Sequence, residues 1–232
     1  MRKAFVSYIL TLMIFFPGAG FGQKGTFTRQ PDGILVTVNS EKIQLRVMGE
    51  KTIRVTVTRL GESLSHKGLV VINPLKENVK WDIKEQTGTV VFLTPSLQVK
   101  VNLTSGQIQF LNKEGSVLLQ ENGREITPAV VLDEKTNSIV QKFKLSDNEA
   151  LYGLGQYQDG NMNLRNKTVE LYQFNMRAAI PMLVSTKNYG LLWDNYSLSK
   201  FADGPEGMSI WSEVGDGIDY YFFAGNSMDD VV

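Results

Sequence analysis

Ile43-Gln44-Leu45-Arg46-Val47-Met48-Gly49-Glu50-Lys51-Thr52-Ile53-Arg54-Val55-Thr56-Val57 decides the fold. Ile43, Leu45 and Val47 alternate with polar neighbours. The turn signal Met48-Gly49-Glu50-Lys51 follows, and alternation resumes at Ile53, Val55 and Val57. A period of two places every second side chain on one face, the pattern of a strand buried on one side only. The same pattern recurs at Leu97, Val99, Val101 and Leu103. Further turn signals stand at Gln86-Thr87-Gly88-Thr89, Thr104-Ser105-Gly106-Gln107 and Asn112-Lys113-Glu114-Gly115. Spacing of roughly ten residues between turns predicts antiparallel hairpins in a sandwich or barrel. No twelve-residue window beyond the N-terminal segment carries helical periodicity with caps, so the expectation is an all-β, large antiparallel β-sandwich.

The first residues differ from the rest. Arg2 and Lys3 precede an apolar run from Ala4 to Phe16, and Pro17-Gly18-Ala19-Gly20-Phe21-Gly22 follows with small residues. Charge, apolar run and small residues in that order predict a signal peptide over residues 1–22. The run is shorter than the roughly 20 residues of a membrane span. The expectation is a secreted or periplasmic protein with no membrane partner, and removal of the segment leaves about 210 residues, enough for one large β domain over 23–226. The chain has no cysteine, so stability must come from apolar burial across a sheet interface. Lys plus Arg and Asp plus Glu both number 24 with no basic cluster, which argues against a nucleic-acid partner.

Near Asn148 the meander gives way to a Gly- and Asn-rich stretch, Gly153 to Lys167, and then to apolar strands at Val169, Ile180-Pro181-Met182-Leu183-Val184 and Gly190-Leu191-Leu192-Trp193. Long loops held by rigid strands carry function more often than the strands do. At the other extreme, Ser227 suits a helix N-cap, with Asp229 and Asp230 in the first turn and Val231-Val232 starting an apolar face. Residues 227–232 are thus expected to open a linker helix that continues beyond Val232; a frayed tail is the alternative.

Composition limits the chemistry. The one histidine, His66, stands in a polar loop and gives a catalytic triad or a histidine-rich metal site little to build on. No metal, no cofactor and no catalytic residue is assigned to this chain. Gly153-Leu154-Gly155 lacks the third glycine and the following helix of a dinucleotide fingerprint and reads as a sharp turn or bulge. The carboxylates Glu149, Asp159, Glu170, Asp194, Asp203, Glu213 and Asp216 are scattered over turns and strand ends. Aromatic residues Tyr152, Tyr157, Tyr172, Phe174, Tyr189, Trp193, Tyr196 and Trp211 concentrate in the C-terminal half. Flat rings stack on sugar C–H faces while amides and carboxylates take the hydroxyls. Strands also favour aromatics for packing alone, so two or three exposed rings are expected.

Taken in order, Ala150-Leu151-Tyr152-Gly153-Leu154-Gly155-Gln156, Asn163-Leu164-Arg165-Asn166, Leu171-Tyr172-Gln173-Phe174-Asn175, Ile180-Pro181-Met182-Leu183-Val184-Ser185 and Tyr189-Gly190-Leu191-Leu192-Trp193-Asp194-Asn195-Tyr196-Ser197 resemble the N-terminal sandwich of glycoside hydrolase family 31. Gly217-Ile218-Asp219-Tyr220-Tyr221-Phe222-Phe223 resembles the strand that precedes the link to the barrel. Gln173-Phe174-Asn175 and Leu192-Trp193-Asp194-Asn195-Tyr196-Ser197 look more like the bacterial α-xylosidase branch. The family's glucosidases commonly carry an aspartate where Asn175 falls. The resemblance implies a galactose mutarotase-like sandwich and a loop, here Gln156 to Arg165, that reaches over a catalytic barrel. It implies substrate contacts at Asp159 and Asn175, and an oligosaccharide partner of the xyloglucan type or another α-glycoside. The reaction it implies is retaining α-glycoside hydrolysis by two aspartates on a barrel that would follow Val232, with Asp194 a turn residue. A stand-alone carbohydrate-binding module and a structural sandwich without a ligand are the other readings that the residues leave open.

Overall fold

A computed structural model describes residues 24–63, 68–71 and 79–232. The predicted signal peptide and His66 lie outside the described residues. The chain opens with a meander of β1 (Thr26–Gln30), β2 (Gly33–Val38), β3 (Glu41–Gly49) and β4 (Thr52–Arg59). It then builds a second meander of β5 (Asp82–Gln86), β6 (Thr89–Leu93), β7 (Leu97–Asn102), β8 (Ile108–Asn112), β9 (Val117–Val131) and β10 (Glu134–Lys144). From there it alternates between layers through β11 (Leu151–Gln156), β12 (Thr168–Leu171), β13 (Ala178–Ser185), β14 (Tyr189–Trp193), β15 (Ser199–Gly204), β16 (Gly207–Ser212) and β17 (Ile218–Ala224). One sheet has eight strands in the order β1-β2-β3-β4-β17-β14-β13-β11, and the other nine in the order β12-β15-β16-β10-β9-β8-β7-β6-β5.

Every strand pair is antiparallel, and no described residue forms a helix, in agreement with the all-β sandwich expected from the alternation. The opening stretch forms β3 and β4, paired Ile43↔Val57, Leu45↔Val55 and Val47↔Ile53, and all six of these side chains are fully or almost fully buried. Across the interface they meet Val99, Val101, Phe110 and Phe143 of the second sheet in one continuous core. The middle of that core is aromatic. Phe110 stacks on Phe222 with ring centroids 4.0 Å apart, and Phe143 meets Tyr220 edge-on at 5.6 Å. Buried rings of this size carry a large share of the stabilisation that disulfides would otherwise supply.

Because neighbouring strands are antiparallel, turns alternate between the two ends of the sandwich. At one end lie the turns around residues 31–32, 50–51, 113–116 and 186–188 and the C-terminal tail from Gly225; call this the tail end. At the other lie residues 60–63, 103–107, 132–133, 157–163, 172–177, 194–198 and 213–217; call this the loop end. Residues 227–232 form one capped turn, with Asp230 N donating to Ser227 Oγ at 3.2 Å.

Candidate functional site

The long loop begins with an irregularity in β11. Gly153, Leu154 and Gly155 all have positive φ (112°, 63° and 105°), and the register against β13 shifts between Gly153 and Gly155. A Cβ on Gly155 would come within 1.8 Å of the Ala178 carbonyl oxygen, so this position admits glycine alone. Leu154 meanwhile turns inward, 1% exposed. The sharp turn or bulge expected from Gly153-Leu154-Gly155 is therefore a β-bulge, and it aims the chain out at the loop end.

The loop returns to the edge of the strand that launched it. Leu164 N donates to Leu151 O at 2.8 Å, and Asn163 Oδ1 accepts from Leu151 N (3.2 Å) and Arg165 N (3.1 Å). Arg165 fixes the far side. Its Nε donates to Asp203 Oδ2 at 2.8 Å, and its Nη1 donates to the carbonyls of Ser146 and Glu149 at 2.8 and 2.6 Å. Between these anchors Gln158 to Asn163 are exposed. Asp159 sits at the tip, where Oδ1 accepts a long contact from Asn161 N at 3.4 Å.

The second element is the tight turn between β12 and β13. Arg177 N donates to Phe174 O at 2.9 Å, Met176 has φ of 70°, and Asn175 is exposed at the apex. Tyr172 and Phe174 lie with ring centroids 5.7 Å apart. Arg177 joins the turn to the loop: its guanidinium carbon stands 4.9 Å from the Phe174 ring centre and 5.8 Å from that of Tyr157. Burial pushes the Tyr157 hydroxyl upward, Arg177 opposes this and Asp159 adds to it, so both charges face that ring. The fold thus places Asp159 and Asn175 on adjoining loops at one end, with both side chains open to solvent. Arg177 was not legible in the sequence as a link between the loops, since its contact with Tyr157 joins two separate segments of the chain.

The remaining carboxylates divide by burial. Glu149 accepts from Ser185 Oγ at 2.6 Å, from Tyr189 Oη and from the Ser146 amide and hydroxyl, and so ties strand ends together. Asp194 is buried and accepts from Tyr196 Oη at 2.6 Å, beside the Arg54–Asp219 ion pair. That is a structural position, as expected from its place after Trp193. Glu170 and Asp216 are exposed and Glu213 is half-buried. Of the aromatics, Tyr172, Phe174 and Tyr196 are exposed, whereas Tyr189 and Trp193 are core residues and Trp193 Nε1 donates to Ser212 Oγ at 2.8 Å.

Two large antiparallel sheets, without a disulfide and with the long loops gathered at one end, define the galactose mutarotase-like class of β-sandwich. Residues 42–201 match the glycosyl hydrolase 31 N-terminal galactose mutarotase-like domain, and the chain belongs to that family. It is 31% identical over 207 residues to an α-xylosidase of Saccharolobus solfataricus, an alignment covering 84% of this chain and 28% of the relative. Among solved structures it resembles a family 31 α-xylosidase from a soil metagenome, in complex with xylose (TM-score 0.78, 24% identity, 87% of this chain and 32% of that one). It also resembles the family 31 α-xylosidase of Xanthomonas citri (TM-score 0.68, 30% identity, 79% of this chain and 20% of that one). The chain thus spans less than a third of the length of each of these proteins.

Proposed function

We propose that this chain is the N-terminal domain of an exported α-xylosidase-like hydrolase, and that its loop end packs on a catalytic barrel and lends the Gln156–Arg165 loop and Asn175 to the sugar pocket. One observation carries the reading. Among the described residues, most exposed large apolar side chains belong to the loop end, including Leu60, Met162, Tyr172, Phe174, Met176 and Tyr196. An isolated soluble domain rarely concentrates apolar surface in this way, whereas a domain seated on a neighbour does. The solvent-facing Asp159 carboxylate and Asn175 amide, beside exposed rings, supply the polar and flat groups that a pyranose needs. The oligosaccharides proposed are those with terminal α-linked xylose, such as xyloglucan fragments. Export rests on Arg2, Lys3 and the apolar run that follows them.

The test uses the complete polypeptide encoded by the reading frame that contains this chain. Asn175→Ala and Asp159→Ala are each expected to lower kcat/KM on an aryl α-xyloside by about tenfold while leaving thermal unfolding unchanged. Unchanged kcat/KM in both variants, or hydrolysis of that xyloside by the 232-residue chain alone, would overturn the proposal.

A further inference from the structure

The two longest strands outrun their neighbours. β9 pairs with β8 only as far as Gln120, and β10 pairs with β16 only from Ile139 onward. From Thr127↔Ser138 out to Val131↔Glu134 the two strands are paired with each other alone, so a two-stranded ribbon projects from the loop end. Ribbons of this kind are marginal in water unless something else holds them. This one is held at its root: Arg59 Nη2 donates to Ile126 O at 2.5 Å, Gly215 N to Asn137 O at 2.9 Å, and Trp211 Nε1 to Ser138 Oγ at 2.8 Å.

Its tip has unusual chemistry for a turn. Leu132 and Asp133 both have positive φ, 49° and 66°, the pair of left-handed conformations that a two-residue hairpin turn requires. Asn and Gly adopt that geometry at lower cost than leucine, and a turn in water has no use for a leucine that is 93% exposed. Val130, 68% exposed, and exposed Pro128 lie on one face of the ribbon, opposite Lys135 and Asn137 on the paired strand, and Leu132 forms an aliphatic knob at the tip. Asp133 and Glu134 beside the knob carry negative charge and Lys135, next along, a positive one.

We propose that the ribbon is a finger that inserts Leu132 into an aliphatic pocket on the catalytic domain of the same polypeptide. This rests on the functional reading above and extends it to a second contact, separate from the loops that carry Asp159 and Asn175. The occupant follows from two features. The finger leaves the end that carries most of the other exposed apolar side chains, and the Saccharolobus solfataricus relative has more than two thirds of its length outside the region matched here. A finger held rigid at its root loses little freedom on docking.

Hydrogen–deuterium exchange on the complete polypeptide and on the 232-residue chain tests the finger. Peptides covering 127–138 are expected to exchange at least tenfold more slowly in the complete polypeptide. Leu132→Asp should abolish that protection and Leu132→Met retain it; since this side chain is almost fully exposed, both variants should fold. Protection of 157–163 and 172–177 without protection of 127–138 would overturn the finger and leave the functional reading standing. Protection of neither region, or a reading frame that stops at Val232, would overturn both. Protection of 127–138 that appears in the 232-residue chain and rises with its concentration would assign the knob to a second copy and overturn the proposal.

Discussion

The Tyr220 hydroxyl, on β17 of one sheet, donates across the sandwich to Glu121 Oε1, on β9 of the other, over 2.7 Å in a site closed to solvent. The second carboxylate oxygen of Glu121 accepts from Ile108 N at 3.0 Å, at the point where β9 parts from β8, and from Arg124 Nη1 at 2.8 Å. Arg124 in turn grips Glu41 and the Gly106 carbonyl. A carboxylate in a core needs such partners, because stripping water from a charge costs more than any one contact returns.

Burial raises the Glu121 carboxyl above the usual value of 4.5, outweighing the pull of Arg124 and the bonds from Tyr220 and Ile108. Folded Glu121 therefore holds its proton more tightly than the unfolded chain does. The stability linked to it is fully present below 4.5 and is lost as pH rises through the elevated value. Glu121→Gln keeps an acceptor for Tyr220 and removes this titration. Urea unfolding from pH 4 to 7 should show the variant gaining on the parent chain as pH rises. A pH-independent difference would refute the assignment.

Tyr221 sits over Arg54, whose guanidinium carbon is 5.3 Å from the ring centre. Burial nevertheless pushes its hydroxyl up to about 12, against the pull of Arg54. A phenol raised in the folded state confers stability that is complete below its ordinary value of 10 and is lost as pH climbs from 10 toward 12. Tyr221→Phe should delete one tyrosinate absorbance step near pH 12 and soften the alkaline loss of stability. Retention of that step would show that another tyrosine produces it.

Arg54 Nε donates to Asp219 Oδ1 at 2.9 Å and Nη2 to Asp219 Oδ2 at 2.5 Å, with both side chains buried on the outer face of the eight-stranded sheet. Removing one member of a buried pair leaves the other charge uncompensated. Arg54→Leu is expected to cost about 3–5 kcal/mol in urea unfolding, and adding Asp219→Asn should recover part of that loss. If the double variant is the less stable of the two, the pair is not the source of the effect.

Arg177 touches both candidate loops through ring faces alone, and surface cation–π contacts contribute about 0.5–1 kcal/mol each. Arg177→Ala should thus change global stability by only about 1 kcal/mol, yet quicken amide exchange at 157–163 severalfold. Arg177→Lys keeps the charge but not the flat stacking surface and should fall between. Equal exchange in all three proteins would show that the loops are held independently.

The strands were legible because burial on one face of a pleated strand writes itself into the sequence as alternation. Ile43 to Val57 reads directly as β3 and β4 with the observed face inward. The turns at Gly49, Gly88, Gly106 and Gly115 were legible for a related reason, since tight reversals restrict which residues fit. Glu121 left a faint trace, an acid at the parity of Leu119 where an apolar residue belongs, but its partners Tyr220 and Arg124 could not be read from it.

The sequence by itself determined the class of fold, the position of the long loop after Gly155, and the motifs that identify the family, because each depends on residues close together along the chain. Only the tertiary structure decided that Asp159 and Asn175 share one end of the sandwich, that Arg177 couples their loops, and that Leu132 stands free at the tip of a ribbon. Those relations depend on which strands lie side by side across two sheets, and strand order is fixed by the packing of distant segments rather than by any local pattern.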